Sequence, residues 1–295
     1  MSIGVIGAGK WGSALAFALS QKDKVLINSR TPRDIENFVS LEEILKCDYL
    51  VITVPAQQIA LWLKENFVFK NQKILVASKG IEASSGRFLN EIYREYVPDE
   101  NIAFLSGPSF ATEVMQSLPT ALVINSVNEE LSKEFSLLFP DFIKTYSSKD
   151  VIGAEVAGAY KNVIAIAAGI CRGLDLGNNA AAALISRGLV EMERFGAAYG
   201  AKKDTFLGLS GAGDLFLTAS STMSRNFRVG QGLAKGLTQE EILCELGEVA
   251  EGIGTTYALA EIAEKNKLYL PIAKEVHEML EGKSPQESLR DLLST

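Results

Sequence analysis

Lys161 lies in the stretch Ala154-Glu155-Val156-Ala157-Gly158-Ala159-Tyr160-Lys161-Asn162-Val163-Ile164-Ala165. On a helix, its neighbours at three and four residues include Ala157, Gly158 and Ala165. An ammonium in such apolar company is desolvated, which lowers its pKa and suits it to acid/base work. The alternative is a stem that snorkels its charge to water. Downstream, Gly208-Leu209-Ser210-Gly211-Ala212-Gly213-Asp214 presents the Asp214 carboxylate at a helix start. Ser224-Arg225-Asn226-Phe227-Arg228 then places a hydroxyl, an amide and two guanidinium groups together, and Arg225 or Arg228 can hold a phosphate or carboxylate. The competing reading of that segment is a helix N-cap at Ser224 with solvated arginines. The only histidine, His277, sits in an amphipathic helical stretch where packing accounts for it. Unless that lone residue serves, acid/base chemistry falls to other groups.

A second constellation opens the chain. Gly7-Ala8-Gly9-Lys10-Trp11-Gly12 follows the apolar run Ile3–Ile6 and leads into an Ala-rich helical segment. In that context the G-x-G-x-x-G spacing predicts a dinucleotide site. Gly7 makes the tight turn, Gly9 admits the pyrophosphate, and Gly12 lets helix and strand pack closely. The next strand ends Asn28-Ser29-Arg30, with Arg33 close behind and no carboxylate to hold a ribose diol. Two guanidinium groups suit a 2′-phosphate, so NADPH is the expected cofactor, with NADH as the alternative.

Other candidates sit at strand ends or in small-residue loops. Lys79 follows a β-run, at the edge where ligands bind parallel sheets. Gly107-Pro108-Ser109-Phe110-Ala111 could offer backbone N–H groups to a ligand or be a structural turn. Glu251, in Val249-Ala250-Glu251-Gly252-Ile253-Gly254-Thr255, could reach a cofactor or simply accompany a helix cap.

The elements that must position these groups change character along the chain. Strand-like runs at Ile3–Ile6, Val25–Asn28, Tyr49–Val54, Ile74–Ala77, Ile102–Leu105 and Ala121–Ile124 alternate with helical segments. That alternation predicts βαβ units and a mostly parallel sheet. Beyond about residue 150, helix-period segments take over. The expected fold is α/β, with an N-terminal Rossmann-type doubly wound sheet in residues 1–149 and an all-helical C-terminal domain in 150–295. A chain of 295 residues has room for two cores.

Composition narrows the partners. Acidic residues outnumber basic ones 36 to 29, giving a net charge of −7, and no basic block suggests nucleic acid. Three scattered cysteines offer no CxxC pair, so no metal site is expected and a reducing cytoplasm fits. The longest apolar run, Val163–Cys171, is too short to span a bilayer, and the expectation is a soluble cytoplasmic protein without membrane insertion. The Ala-rich helices offer surface for a homodimer.

Taken together, the motifs resemble the bacterial NAD(P)-dependent glycerol-3-phosphate dehydrogenase family. The matching pieces are Gly7–Gly12, Lys79-Gly80-Ile81-Glu82, Gly107–Ala111, Ala157–Gly169, Leu209–Asp214, Ser224–Phe227, Val249–Thr255 and Pro271-Ile272, in the family's order. The resemblance implies interconversion of sn-glycerol 3-phosphate and dihydroxyacetone phosphate, feeding phospholipid synthesis. By position it makes Lys161 the proton donor and acceptor. It places substrate on Lys79, Gly107, Ser109, Lys161, Asp214, Ser224, Arg225 and Asn226, with Arg225 and Asn226 on the phosphate. It places cofactor on Trp11, Arg30, Arg33, Lys79, Ala111, Arg225, Val249 and Glu251, beside the loop residues Gly7, Gly9, Lys10 and Gly12. Two departures stand out. Asp34–Cys47 is shorter than the family's usual segment, and Lys10 replaces a commonly small residue.

Overall fold

Each of the six expected β-branched runs forms a strand in the computed structural model, which describes residues 1–294. Two compact units emerge, Met1–Ser78 with Asn90–Ala154, and Lys79–Leu89 with Glu155–Thr295. The first unit runs β1 (Ile3–Ile6), α1 (Lys10–Ser20), β2 (Val25–Asn28), α2 (Leu41–Ile44), β3 (Tyr49–Ile52), α3 (Ala56–Asn66) and β4 (Lys73–Val76). It continues with α4 (Leu89–Tyr93), β5 (Ile102–Ser106), α5 (Ala111–Met115), β6 (Thr120–Asn125), α6 (Glu129–Leu138) and β7 (Ile143–Ser148).

The seven strands form one sheet in the order β2-β1-β3-β4-β5-β6-β7. All neighbours are parallel except β5 and β6. From β1 the chain passes to β2 on one side, then returns to β3 on the other. This reversal is the switch point where open α/β sheets bind ligands, and the glycine loop lies at its carboxyl edge. The central strands β1 and β5 are buried throughout, as a sheet covered on both faces requires. Val5, Leu15, Leu19, Val51, Leu75 and Phe135 belong to the core against which the helices pack.

Two elements go beyond the sequence expectation. α6 buries Leu131, Phe135 and Leu138, and its Asn128 cap accepts from the N–H groups of Glu130 and Leu131. β7, Ile143-Lys144-Thr145-Tyr146-Ser147-Ser148, is an edge strand with only Ile143 buried, so it lacks an apolar run. The short segment after Arg33 lies against β2. Phe38 bridges to Ile27, and Val39 N–H donates to the Ile27 carbonyl.

In the second unit the helices are α7 (Val151–Gly173), α8 (Gly177–Ala198), α9 (Lys203–Leu207), α10 (Asp214–Ala219), α11 (Arg225–Ala234) and α12 (Gln239–Leu246). They continue with α13 (Glu251–Asn266), α14 (Pro271–Leu280) and α15 (Pro285–Ser294), and no strand occurs among the described residues from 155 onward. By length and composition α7 could cross a membrane, but 94% of its most apolar window is buried inside the protein. It is the central core helix.

Two contacts fix how α7 lies. The Tyr160 hydroxyl donates to buried Glu191 of α8 at 2.7 Å. Glu191 also accepts from the N–H groups of Ile272 and Ala273 at the start of α14, both at 2.9 Å. This shared anchor sets the rotation of α7 one residue before Lys161. Further along, α7 and α11 meet backbone to backbone through Gly169 and Gly230. A Cβ on Gly230 would lie 1.9 Å from the Ile166 carbonyl oxygen. His277 half-buries its ring edge-to-face against Tyr257, as the packing reading expects.

Candidate active site

Three elements of the second unit converge on one buried carboxylate. Asp214 is 1% exposed and Lys161 7%. The Lys161 ammonium donates to Asp214 Oδ1 at 2.5 Å and to Thr218 Oγ1 at 3.0 Å. The Lys79 ammonium donates to Asp214 Oδ2 at 2.6 Å. A single carboxylate thus bridges two lysines that lie 82 residues apart by their numbers.

Local structure explains the convergence. Leu209–Gly213 forms a π-helical turn, a form frequent at functional sites. It delivers Asp214 to the first position of α10. Thr218 follows one helical turn later on the same face, and its hydroxyl donates to the Asp214 carbonyl at 2.6 Å. That leaves a lone pair for Lys161. Sequence reasoning missed Thr218, although its i, i+4 spacing from Asp214 was a usable signal. Gly158 leaves room for the Lys79 stem, since a Cβ there would sit 3.4 Å from Lys79 Cγ. The small residues flanking Lys161 thus also make way for the second lysine.

The electrostatics follow from burial. Desolvation pulls the Lys161 pKa down to about 8, aided by the Lys79 charge and opposed by Asp214. For Asp214, burial pushes upward, but the two lysines outweigh it and hold the carboxyl below its ordinary value. Glu251, at the start of α13, is pushed up by burial, while the charges of Arg225, Lys79 and Lys161 pull it back.

The neighbouring candidates also meet. Arg225 donates to the Val249 carbonyl at 2.9 Å and pairs with Glu248 at 3.5 Å. Asn226 is buried, and its amide oxygen accepts from Gly252 N–H at 3.0 Å. Ser224 caps α11, accepting from Phe227 N–H at 3.2 Å, so the capping reading of this hydroxyl is realised.

In the first unit the glycine loop closes on itself. Gly7 adopts φ +108°. A Cβ on Gly12 would lie 1.8 Å from the Gly7 carbonyl oxygen. Thr53, absent from the sequence candidates, donates its hydroxyl to the Ile6 and Gly7 carbonyls, both at 3.0 Å, and so clamps the turn. The Trp11 indole N–H reaches the Ala77 carbonyl at 3.1 Å and ties α1 to the end of β4.

The same loop fits a pyrophosphate. A Cβ on Gly9 would meet nothing within 4 Å, and no side chain caps α1. Open space over a helix N-terminus is what a phosphate group needs. Lys10 is exposed in the first turn of α1. At the end of β2 the Asn28 amide is turned away to the Val39 carbonyl. Arg30 and Arg33 stand exposed. Gly107 takes φ +106°, Ser109 donates to the Gly107 carbonyl at 3.2 Å, and Ala111 opens α5.

Known proteins resemble this chain over nearly its whole length. The family model described as NAD-dependent glycerol-3-phosphate dehydrogenase C-terminus matches residues 150–290, and its N-terminus counterpart matches residues 20–132. A glycerol-3-phosphate dehydrogenase [NAD(P)+] of Sulfurimonas denitrificans is 74% identical over 99% of both chains. Another of that name, from a Nitratiruptor species, is 60% identical over 99% of this chain and 98% of its own. The crystal structure of a glycerol-3-phosphate dehydrogenase from Coxiella burnetii superposes with a TM-score of 0.91. It is 33% identical and covers 100% of this chain and 99% of its own.

Proposed function

This chain belongs to the NAD-dependent glycerol-3-phosphate dehydrogenase family, and we propose that Lys161 is its proton donor and NADPH its preferred reductant. The enzyme interconverts sn-glycerol 3-phosphate and dihydroxyacetone phosphate with a nicotinamide dinucleotide, supplying glycerol 3-phosphate for glycerophospholipid synthesis. When bound, the reduced nicotinamide supplies a hydride to the substrate's carbonyl carbon.

The observation that carries the assignment is the shared carboxylate of Asp214. A lysine ammonium has three N–H donors. Asp214 and Thr218 take two of those of Lys161. The third donates to the carbonyl oxygen and is transferred as the alkoxide develops. With a pKa of about 8, Lys161 is protonated near neutral pH yet acidic enough to release its proton. In the oxidative direction neutral Lys161 takes the hydroxyl proton instead.

The remaining residues bind and orient. With its oxygen held by Gly252, Asn226 has its NH2 group as the donor for the substrate phosphate. Arg225, anchored through Val249, adds its remaining N–H groups. Lys79 keeps Asp214 charged and supplies a cation to substrate and cofactor. Gly107, Ser109 and Ser224 complete the substrate set. Gly7, Gly9, Lys10, Trp11, Gly12, Ala111, Val249 and Glu251 complete the cofactor set. Exposed Arg30 and Arg33, beside a strand end without a carboxylate, support the 2′-phosphate of NADPH.

Substituting Lys161→Met tests the central role. Loss of an acid/base group of this kind costs about 10²–10⁴-fold in rate. We expect kcat for dihydroxyacetone phosphate reduction to fall by that amount, with NADPH binding retained in a fluorescence titration. Near-normal kcat would overturn the assignment.

A further inference from the structure

The C-terminal helix α15 covers an apolar cavity of about 160 Å³ within the second unit. Ile170 of α7, Leu184 of α8, Met279 of α14 and Leu289 of α15 are among its walls. The α7 residues that line it, Ala167, Ile170 and Cys171, lie six to ten residues past Lys161, about 9 to 15 Å along the axis at the usual helical rise. It is therefore separate from the catalytic cluster.

The lid is poorly packed. Leu289 and Leu292 remain only half-buried, while the residue α15 buries fully is Ser288. The Ser288 hydroxyl has no hydrogen-bond partner, and burying it that way carries a free-energy penalty. The two ends of α15 are held differently. Lys283, just before the helix, pairs with Glu275 at 2.6 Å, Glu278 at 2.5 Å and Asp291 at 2.6 Å. The last turn is held by the Arg187 guanidinium, which donates to the Leu292 carbonyl at 3.2 Å. Arg187 is exposed and lines the cavity, and among the described residues no carboxylate pairs with it.

A void of about 150 Å³ with aliphatic walls takes a six-carbon ring. The present cavity thus has room for some six to eight carbons of an alkyl chain, with a cation at its mouth. We propose that it binds the chain of a fatty carboxylate, whose head group pairs with Arg187 while α15 acts as the lid. Apart from Ser288 and from Glu275, whose charge Lys283 neutralises, the walls are apolar and disfavour a polar ligand, and the planar Arg187 guanidinium matches a carboxylate.

Calorimetric titration of octanoate into the full-length protein tests the proposal, with octan-1-ol as the uncharged control. Octanoate should bind one per chain, up to about fivefold tighter than the alcohol, the range expected of an exposed ion pair. Arg187→Gln should remove that preference and leave the alcohol unchanged. Ala183→Phe, at a cavity-lining position, should abolish binding of both. Both variants should keep wild-type turnover of dihydroxyacetone phosphate, which verifies their fold. The proposal fails if octanoate shows no saturable binding or if Ala183→Phe binds it normally. It fails equally if sedimentation shows that Ala183→Phe splits a dimer while octanoate has no effect, since the cavity would then belong to a second copy.

Discussion

Asp214→Asn separates the charge of Asp214 from its shape. The amide keeps the side chain's size but removes the one negative charge that both lysines contact. In the wild type, burial and the Lys79 charge push the Lys161 pKa down, and Asp214 opposes them. An adjacent opposite charge shifts a pKa by about one to three pH units. Without it, the Lys161 pKa should fall from about 8 by about two pH units. Reduction of dihydroxyacetone phosphate needs the protonated lysine, so its rate is present below that pKa and lost as pH rises through it. At pH 7.5 the protonated fraction would drop from about three-quarters to about 3%, roughly a 25-fold loss. Oxidation of glycerol 3-phosphate needs the neutral lysine and should suffer much less at that pH. The assay is kcat/KM against pH in both directions for the two proteins. The reasoning is refuted if the reductive limb of the variant stays near pH 8, or if both directions fall equally at pH 7.5.

Two further outcomes are expected. Arg30→Gln with Arg33→Gln should lower kcat/KM for NADPH by about tenfold or more, the scale of charged hydrogen bonds, and leave NADH turnover near wild type; an unchanged NADPH/NADH ratio would count against the 2′-phosphate contact. Gly230→Ala should cost about 1–3 kcal/mol, the usual range for overpacking, because the new Cβ meets the Ile166 carbonyl rather than a movable side chain. Thermal unfolding should then come several degrees lower, at roughly 2–4 °C per kcal/mol for a unit of this size; an unshifted Tm would show that the helices part without strain.

What the sequence made legible depended on how local its signal was. The glycine loop could be read because Gly7, Gly9 and Gly12 act through their own backbone within one turn of chain. Lys161 could be read because its apolar neighbours on the helix predict desolvation. Asp214 could be placed at a helix start but not against its partners. Its bond to Lys161 spans 53 positions and its bond to Lys79 spans 135. No periodicity encodes such contacts; the packing of the second unit creates them. Asn226 shows the same limit in reverse: its type suggested a ligand contact, but only the fold reveals that Gly252 takes its oxygen. β7 escaped because an edge strand with one buried residue carries almost no apolar pattern.

The assembled cluster says more than its members do. Two buried or nearly buried ammonium groups share the carboxylate of Asp214. Glu251 feels both lysine charges, while burial pushes its own pKa up. Burying ammonium groups in a low-dielectric setting is costly, and each counterion that approaches them lowers that cost. A phosphorylated substrate is such a counterion. Its binding would ease the mutual repulsion of the two lysines, raise the Lys161 pKa and load the proton that reduction consumes. The reductive pH limb of kcat, which reports the bound enzyme, should therefore lie above that of kcat/KM, which reports the free enzyme. Coincident limbs would mean that the phosphate is neutralised elsewhere, by Arg225 and Asn226 alone.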